Sequence, residues 1–239
     1  MGLLSRLFGK KPAADASVSA ASAETAEAGI APVLQAALDH YQHGRLAEAL
    51  AQATTQTEAA DASVRADALR LCALALSQMG RYADAFPHWL ALFGEEPSAH
   101  NALQLATTSV MCGEAHRGEA WLVKFDQINQ ETREMPWPQA RTNFISACTQ
   151  SGHEAHALAP LAELRDAQAA VHVTDPTFLY MRGMPGFGEF LQRSLPILRN
   201  ALPAEAIAPW YAVLDGQLDD AGQQALQQHL LMLGGTHHA

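Results

Sequence analysis

Four glycines, each at the end of an amphipathic helical pattern, constrain the fold of this chain more than any other feature. Gly44, Gly80, Gly113 and Gly152 are spaced 36, 33 and 39 residues apart. Apolar residues recur every three to four positions in DALRLCALALSQM before Gly80 and in YADAFPHWLALF after it. This spacing is typical of a helix with one apolar face. Because a glycine can take the positive φ that ends a helix, each one predicts the turn of a helical hairpin.

A small residue follows each turn at the same distance. Five positions after the glycines come Ala49, Ala85, Gly118 and Ala157. A small side chain here lets two helices approach closely, and in the second hairpin Trp89 would fill the space beyond. Pro97 then ends that helix. Pro87 and Pro160 fall early in the second helices of two hairpins, where they should bend the helix or delay its start.

This order of features, at a period of about 34 residues, resembles the tetratricopeptide repeat family. The resemblance covers residues 30–170 and is strongest in the second unit, at Ala73, Gly80, Tyr82, Ala85, Trp89 and Pro97. Gln56, Gly118 and Ile145 depart from the family pattern in the other units. We therefore expect an all-α fold, an α-solenoid of antiparallel, tetratricopeptide-like helical hairpins with degenerate repeats.

The resemblance also implies a binding surface. In this family the first helix of each pair lines a groove that takes an extended peptide or a helix of a partner protein. By position, the partner-binding residues would be Tyr41, Asp67, Arg70, Gln78, His100, Thr107, Met111, Thr142 and Gln150. The family members that bind chaperone C-terminal carboxylates use a Lys/Asn clamp. The matching positions, Leu38, Leu74, Thr107 and Ser146, carry no Asn, which disfavours that ligand.

The two ends depart from the repeats. Residues 12–29 are small and polar without periodicity and predict a flexible linker. In residues 1–11 a short helix would carry one apolar face flanked by basic side chains, typical of a weak membrane contact or a docking peptide, with a frayed terminus as the alternative. That face would consist of Leu3, Leu4, Leu7 and Phe8.

Residues 171–239 contain several prolines and glycines, and we expect an irregular helical cap over the last repeat. Asp175 and Pro176 predict a helix start. A final hairpin is predicted over 204–214 and 219–233. The alternative use of this region is a partner surface formed by Met181, Met184, Phe187 and Phe190.

Charge and composition exclude some classes of protein. The net charge of −10 argues against a general nucleic-acid binder, which needs a basic face. The sequence contains no apolar run long enough to span a bilayer. The abundance of Ala and of Arg over Lys is typical of a GC-rich bacterial genome. We expect a bacterial cytoplasmic protein that could lie peripherally at the inner membrane through residues 1–11.

No motif predicts catalysis, a cofactor or a metal. His153 and His156, like His40 and His43, are three residues apart, and no third ligand is suggested nearby in the sequence. The three cysteines form no CxxC pair and are expected to be buried structural thiols. The glycines after position 182 fit no phosphate-binding loop.

These observations favour a non-catalytic protein–protein interaction module, an adaptor or assembly factor that binds a partner protein through the groove. An immunity-type inhibitor that neutralises a dedicated toxin is the second hypothesis. A third is an enzyme in the C-terminal region that would use Glu189 or Arg193.

Overall fold

The computed structural model describes residues 30–235. All the regular secondary structure in these residues is helical. The all-α prediction is therefore confirmed for this part of the chain. A short 3₁₀ turn, Pro32–Leu34, comes first. The α-helices are α1 (Gln35–Gln42), α2 (Leu46–Thr54), α3 (Ala62–Gln78), α4 (Tyr82–Glu95), α5 (Ala99–Met111), α6 (Ala115–Thr132), α7 (Trp137–Gln150), α8 (Glu154–Val171), α9 (Pro176–Met181), α10 (Phe187–Ala201), α11 (Ala204–Ala212) and α12 (Asp220–Gly235).

Segments 1–11 and 12–29, with Leu3, Leu4, Leu7 and Phe8, lie outside the described residues. Among helices α1–α12, none combines the length and the apolarity needed to cross a bilayer.

The described chain divides into two compact units, residues 30–79 and residues 80–235. The first unit contains α1, α2 and α3, and α2 packs against both of its neighbours. Small and aliphatic side chains fill this interface. Fully buried examples are Leu34, Ala37, Ala49, Ala53 and Leu71.

The second unit contains α4 to α12 around one hydrophobic core. Helix α5 packs against α4, α6 and α7, α7 packs against α8, and α8 packs against α10. Phe125, Phe144 and Tyr211 are fully buried in this core, together with residues of α10 to α12. The C-terminal helices thus share the core of the helices that precede them in this unit.

The C-terminal residues of the alternative partner surface do not form one exposed face, so that alternative is wrong as a single surface. Met184, Phe187 and Phe190 are at most 6% exposed and belong to the core, whereas Met181 is 70% exposed. The helix start at Pro176 is confirmed, since the Asp175 carboxylate accepts the Phe178 N–H at 2.8 Å.

The predicted turn geometry at the four glycines is confirmed. Gly44, Gly80, Gly113 and Gly152 have φ between +72° and +83°, and the following helix begins two residues later in every case. After Gly113, the Glu114 N–H bonds to the Ser109 carbonyl at 2.9 Å, which closes the end of α5. The positive φ is therefore common to all four turns, and an equivalent bond also closes the turns at Gly44 and Gly152.

The small residues after the turns are buried, as the pattern predicts. A Cβ at Gly118 would lie 2.5 Å from Val110 Cγ2 and 2.9 Å from the Ala106 carbonyl oxygen, so α6 approaches α5 too closely for alanine. Pro87 and Pro160 lie inside α4 and α8, and both helices begin two residues after their turn glycine, as the other second helices do. The expectation that these prolines delay the helix start is therefore wrong.

Candidate functional site

A cavity of about 720 Å³ lies between α7, α8 and α10 in the second unit. We call it the α7–α10 groove. Helix α7 forms one wall, α10 forms the opposite wall, and α8 lies beneath them. The lining residues are Thr142, Ile145, Ser146, Thr149, Gln150, Leu161, Leu164, Pro185, Glu189, Phe190, Gln192, Arg193, Ser194, Pro196 and Ile197.

The floor of the groove is apolar and well packed. Leu161, Leu164, Phe190 and Ile197 are each 2–4% exposed, so they expose little surface and hold their positions through the core beneath. Such a floor suits apolar side chains of a ligand.

The wall from α7 carries hydroxyl groups at helical spacing. The hydroxyls of Thr142, Ser146 and Thr149 each donate to the backbone carbonyl four residues earlier, at 2.9–3.0 Å. Their hydrogens are thus occupied, but each oxygen still has lone pairs that can accept a hydrogen bond. This wall therefore offers acceptors to the N–H groups of a ligand.

The rim of the groove is polar and electrically balanced. On α10, Arg193 Nη2 lies 3.0 Å from Glu189 Oε1, an exposed ion pair one helical turn apart. The exposed amides of Gln150 and Gln192 make no hydrogen bond within residues 30–235. Both amides can donate and accept, as a peptide backbone requires.

Long-range hydrogen bonds hold α10 in place beside the groove. Gln168 Nε2, on α8, donates to the Pro185 carbonyl at 2.9 Å, which fixes the chain two residues before α10. The hydroxyls of Ser194 and Tyr211 share a buried hydrogen bond of 2.6 Å that joins α10 to α11. Burial raises the pKa of Tyr211 to about 12, so this phenol stays neutral.

The structure places the nine predicted groove residues in several different settings. In the first unit, Gln78 Nε2 donates to the Tyr41 hydroxyl at 2.6 Å, and Arg70 forms an ion pair with Asp67 on the same helix. Neither pair lines the α7–α10 groove.

In the second unit, the predicted residues separate into two groups. On α5, Thr107 bonds to the Leu103 carbonyl, the backbone N–H of His100 donates to Glu134, and Met111 packs against the core. Thr142 and Gln150, on α7, are both brought to the groove.

The α10 wall was not identified as part of a groove from the sequence. From the sequence, Glu189 and Arg193 are expected only as residues of a hypothetical enzyme, and Phe190 as part of a partner surface. Their spacing along α10 indicates one helix face, but the residues facing them come from α7, 39 to 51 positions earlier. No pattern within a short stretch of sequence predicts that α7 and α10 face each other.

A second polar cluster lies where α6 and α8 begin. Glu119 Oε2 is 3.0 Å from His116 Nδ1, and Glu119 Oε1 is 2.8 Å from His156 Nδ1. The two imidazole rings stand edge to face with their centres 4.6 Å apart, and the ring of His153 is 6.1 Å from that of His156. Partial burial alone would raise the pKa of Glu119, but the hydrogen bonds from both histidines outweigh it and lower the pKa.

Burial raises the pKa of all three thiols, and that of Cys148 reaches about 12, with Glu119 and Glu154 adding to the effect of burial. Cys72 and Cys148 are fully buried, as expected, whereas Cys112 is only partly buried. A thiol with a raised pKa is a poor nucleophile at neutral pH.

A scan against protein-family models and a search of curated proteins both found no match to this chain.

Proposed function

We propose that this chain is a non-catalytic protein–protein interaction module that binds a segment of a partner protein in the α7–α10 groove. The observation that carries the proposal is the combination, in one open cavity, of an apolar floor, a wall of hydroxyl acceptors and two amides that bond to no other group in the described part of the chain. A peptide needs all three, because it presents side chains together with backbone donors and acceptors.

The wider proposal is that the hairpins of residues 30–170 are degenerate tetratricopeptide-like repeats of an α-solenoid. The common φ at the turn glycines and the buried small residue after each turn support it. An adaptor or assembly factor of a bacterial cytoplasm is the role we infer from this architecture.

The charges on the groove rim indicate what net charge a partner segment should carry. The ion pair of Glu189 with Arg193 balances the charge of the rim, so the described groove residues offer no net charge to attract an acidic or a basic tail. We therefore expect a segment with apolar side chains and no large net charge. It would bind by burying those side chains against Leu161, Leu164 and Ile197.

Photo-crosslinking in extracts of the source organism tests the proposal. Benzoylphenylalanine placed at Gln192, on the rim, should crosslink to one protein through one continuous segment, identified by mass spectrometry. The matched control is Ala159, an exposed α8 residue outside the groove lining. Products that are the same at both positions, or no product at Gln192, would contradict the proposal.

A further inference from the structure

We propose that His116, Glu119 and His156 form a binding site for a divalent transition metal ion of the Zn²⁺ class. All three ligand atoms lie within 4.8 Å of one another, and they come from two helices of the same unit. This inference is independent of the α7–α10 groove, which none of the three residues lines.

The spacing of the ligand atoms is close to what zinc requires. Zinc binds imidazole nitrogen and carboxylate oxygen at about 2.0–2.2 Å, which places neighbouring ligands of a tetrahedron about 3.3–3.6 Å apart. The two N–O separations here, 3.0 Å to one Glu119 oxygen and 2.8 Å to the other, are close to that range. A small movement of the exposed His116 side chain would bring all three ligand atoms, which lie within 4.8 Å of one another, around one ion. An ion bound at Nδ1 would take the place of the proton shared with Glu119, and each neutral imidazole would then carry its one proton on Nε2.

The donor set selects the class of metal. Two imidazoles and one carboxylate suit Zn²⁺, Co²⁺, Ni²⁺ and Cu²⁺, whereas Ca²⁺ and Mg²⁺ prefer oxygen ligands alone. The His116 side chain is 89% exposed, so an ion can enter directly from solvent and water can complete its coordination.

The carboxylate of Glu119 supplies the negative charge that a cation needs at this position. His116 and His156 both lie in the first turn of a helix, where the partial positive charge of the backbone opposes a cation. The carboxylate of Glu119, already between the two imidazoles, offsets that charge. A bound ion would tie the start of α6 to the start of α8 and so join two successive hairpins.

Titration of the full-length, untagged protein with Zn²⁺, followed by calorimetry, tests the site. The chain is first stripped with a chelator. We expect one tight equivalent of Zn²⁺, and His116→Ala, His156→Ala and Glu119→Gln should each weaken it at least about tenfold. His43→Ala is the matched control, because it removes an exposed histidine from a pair without a third ligand in the described residues, and it should leave that affinity unchanged.

Co²⁺ absorption provides a second readout that does not depend on a variant's stability. The wild type should show the visible bands of a four- or five-coordinate ion, and Ca²⁺ and Mg²⁺ should not displace it. Circular dichroism without metal checks that each variant is folded. The proposal is overturned if Zn²⁺ does not bind, if the three variants retain wild-type affinity, or if His43→Ala loses it.

Discussion

At the scale of single residues, Gly118 shows how packing decides between two opposing effects. Alanine has a better helix propensity than glycine by about 1 kcal/mol, but the Cβ would collide with α5. We expect Gly118→Ala to lower the free energy of unfolding by about 1–3 kcal/mol, because overpacking outweighs propensity. Gly94→Ala, on α4 with nothing within 4 Å of the added Cβ, should instead raise it slightly. Urea denaturation compares the two variants, and equal effects would contradict the close approach of α5 and α6.

Arg141 is the most buried charged residue of the second unit. Its guanidinium donates two hydrogen bonds of 2.9 Å to Asp126 and one of 2.5 Å to Glu163, so it joins α7 to α6 and α8. Burial alone would lower the pKa of Arg141, but these hydrogen bonds and charges raise it. The side chain is 8% exposed, whereas both carboxylates reach solvent.

Arg141→Met should lower the free energy of unfolding by about 2 kcal/mol, since charged hydrogen bonds contribute about that much and both carboxylates can rehydrate. Arg193→Met removes an exposed ion pair on α10 and should change it by less than about 0.5 kcal/mol. Urea denaturation measures both. A similar loss in the two variants would show that the buried position of Arg141 is not the cause.

At the scale of elements, the start of α12 depends on one carboxylate. Asp219 accepts hydrogen bonds from the Thr174 N–H at 2.7 Å, the Thr174 hydroxyl at 2.5 Å and the Gly222 N–H at 2.9 Å. These bonds, led by that of the Thr174 hydroxyl, lower the pKa of Asp219. A lowered pKa means that the stabilisation is complete above the unfolded value of about 3.9 and is lost as the pH falls through the folded value.

Asp219→Ala should therefore lower the free energy of unfolding by about 1 kcal/mol at neutral pH, the usual effect of losing a helix N-cap. The difference from wild type should narrow as the pH falls below about 4. Asp220→Ala, the exposed neighbour in the first turn, should change stability by less than about 0.5 kcal/mol. Denaturation at neutral and acid pH measures both. A pH-independent effect of Asp219→Ala would contradict the role of its charge.

The elements of this fold differ in how well the sequence predicts them. The hairpin turns could be predicted because a glycine, its preceding helix and the small residue after it are local in sequence. Thr142 and Gln150 of α7 line the α7–α10 groove, and the tetratricopeptide resemblance gives both as partner-binding residues, a role that stays a prediction. The α10 half of the groove could not be predicted, because it depends on long-range bonds such as that from Gln168 to the Pro185 carbonyl. His116 and His156 are forty residues apart, so their proximity also depends on the packing of distant helices and could not be predicted from a local pattern.

At the scale of the whole molecule, binding in the groove and binding to the acidic surface should differ in their dependence on salt. The chain carries −10, but the groove rim is balanced. Binding in the groove should therefore depend weakly on salt, with a Kd that changes less than about threefold between low salt and roughly 0.5 M NaCl. Attraction of a basic partner to the acidic surface would weaken far more steeply. Fluorescence anisotropy of the crosslinked segment across this range measures the dependence, and a steep loss would contradict groove binding.

The most direct test of the central claim is the Kd of that segment, as a synthetic peptide, for two matched variants. Ser146→Arg places a long side chain in the α7–α10 groove, and Ala159→Arg places the same side chain on an exposed part of α8. We predict that Ser146→Arg weakens binding at least about tenfold, or about 1.4 kcal/mol, and that Ala159→Arg changes it by less than about twofold. Equal affinities for the two variants would show that the partner segment does not bind in this groove.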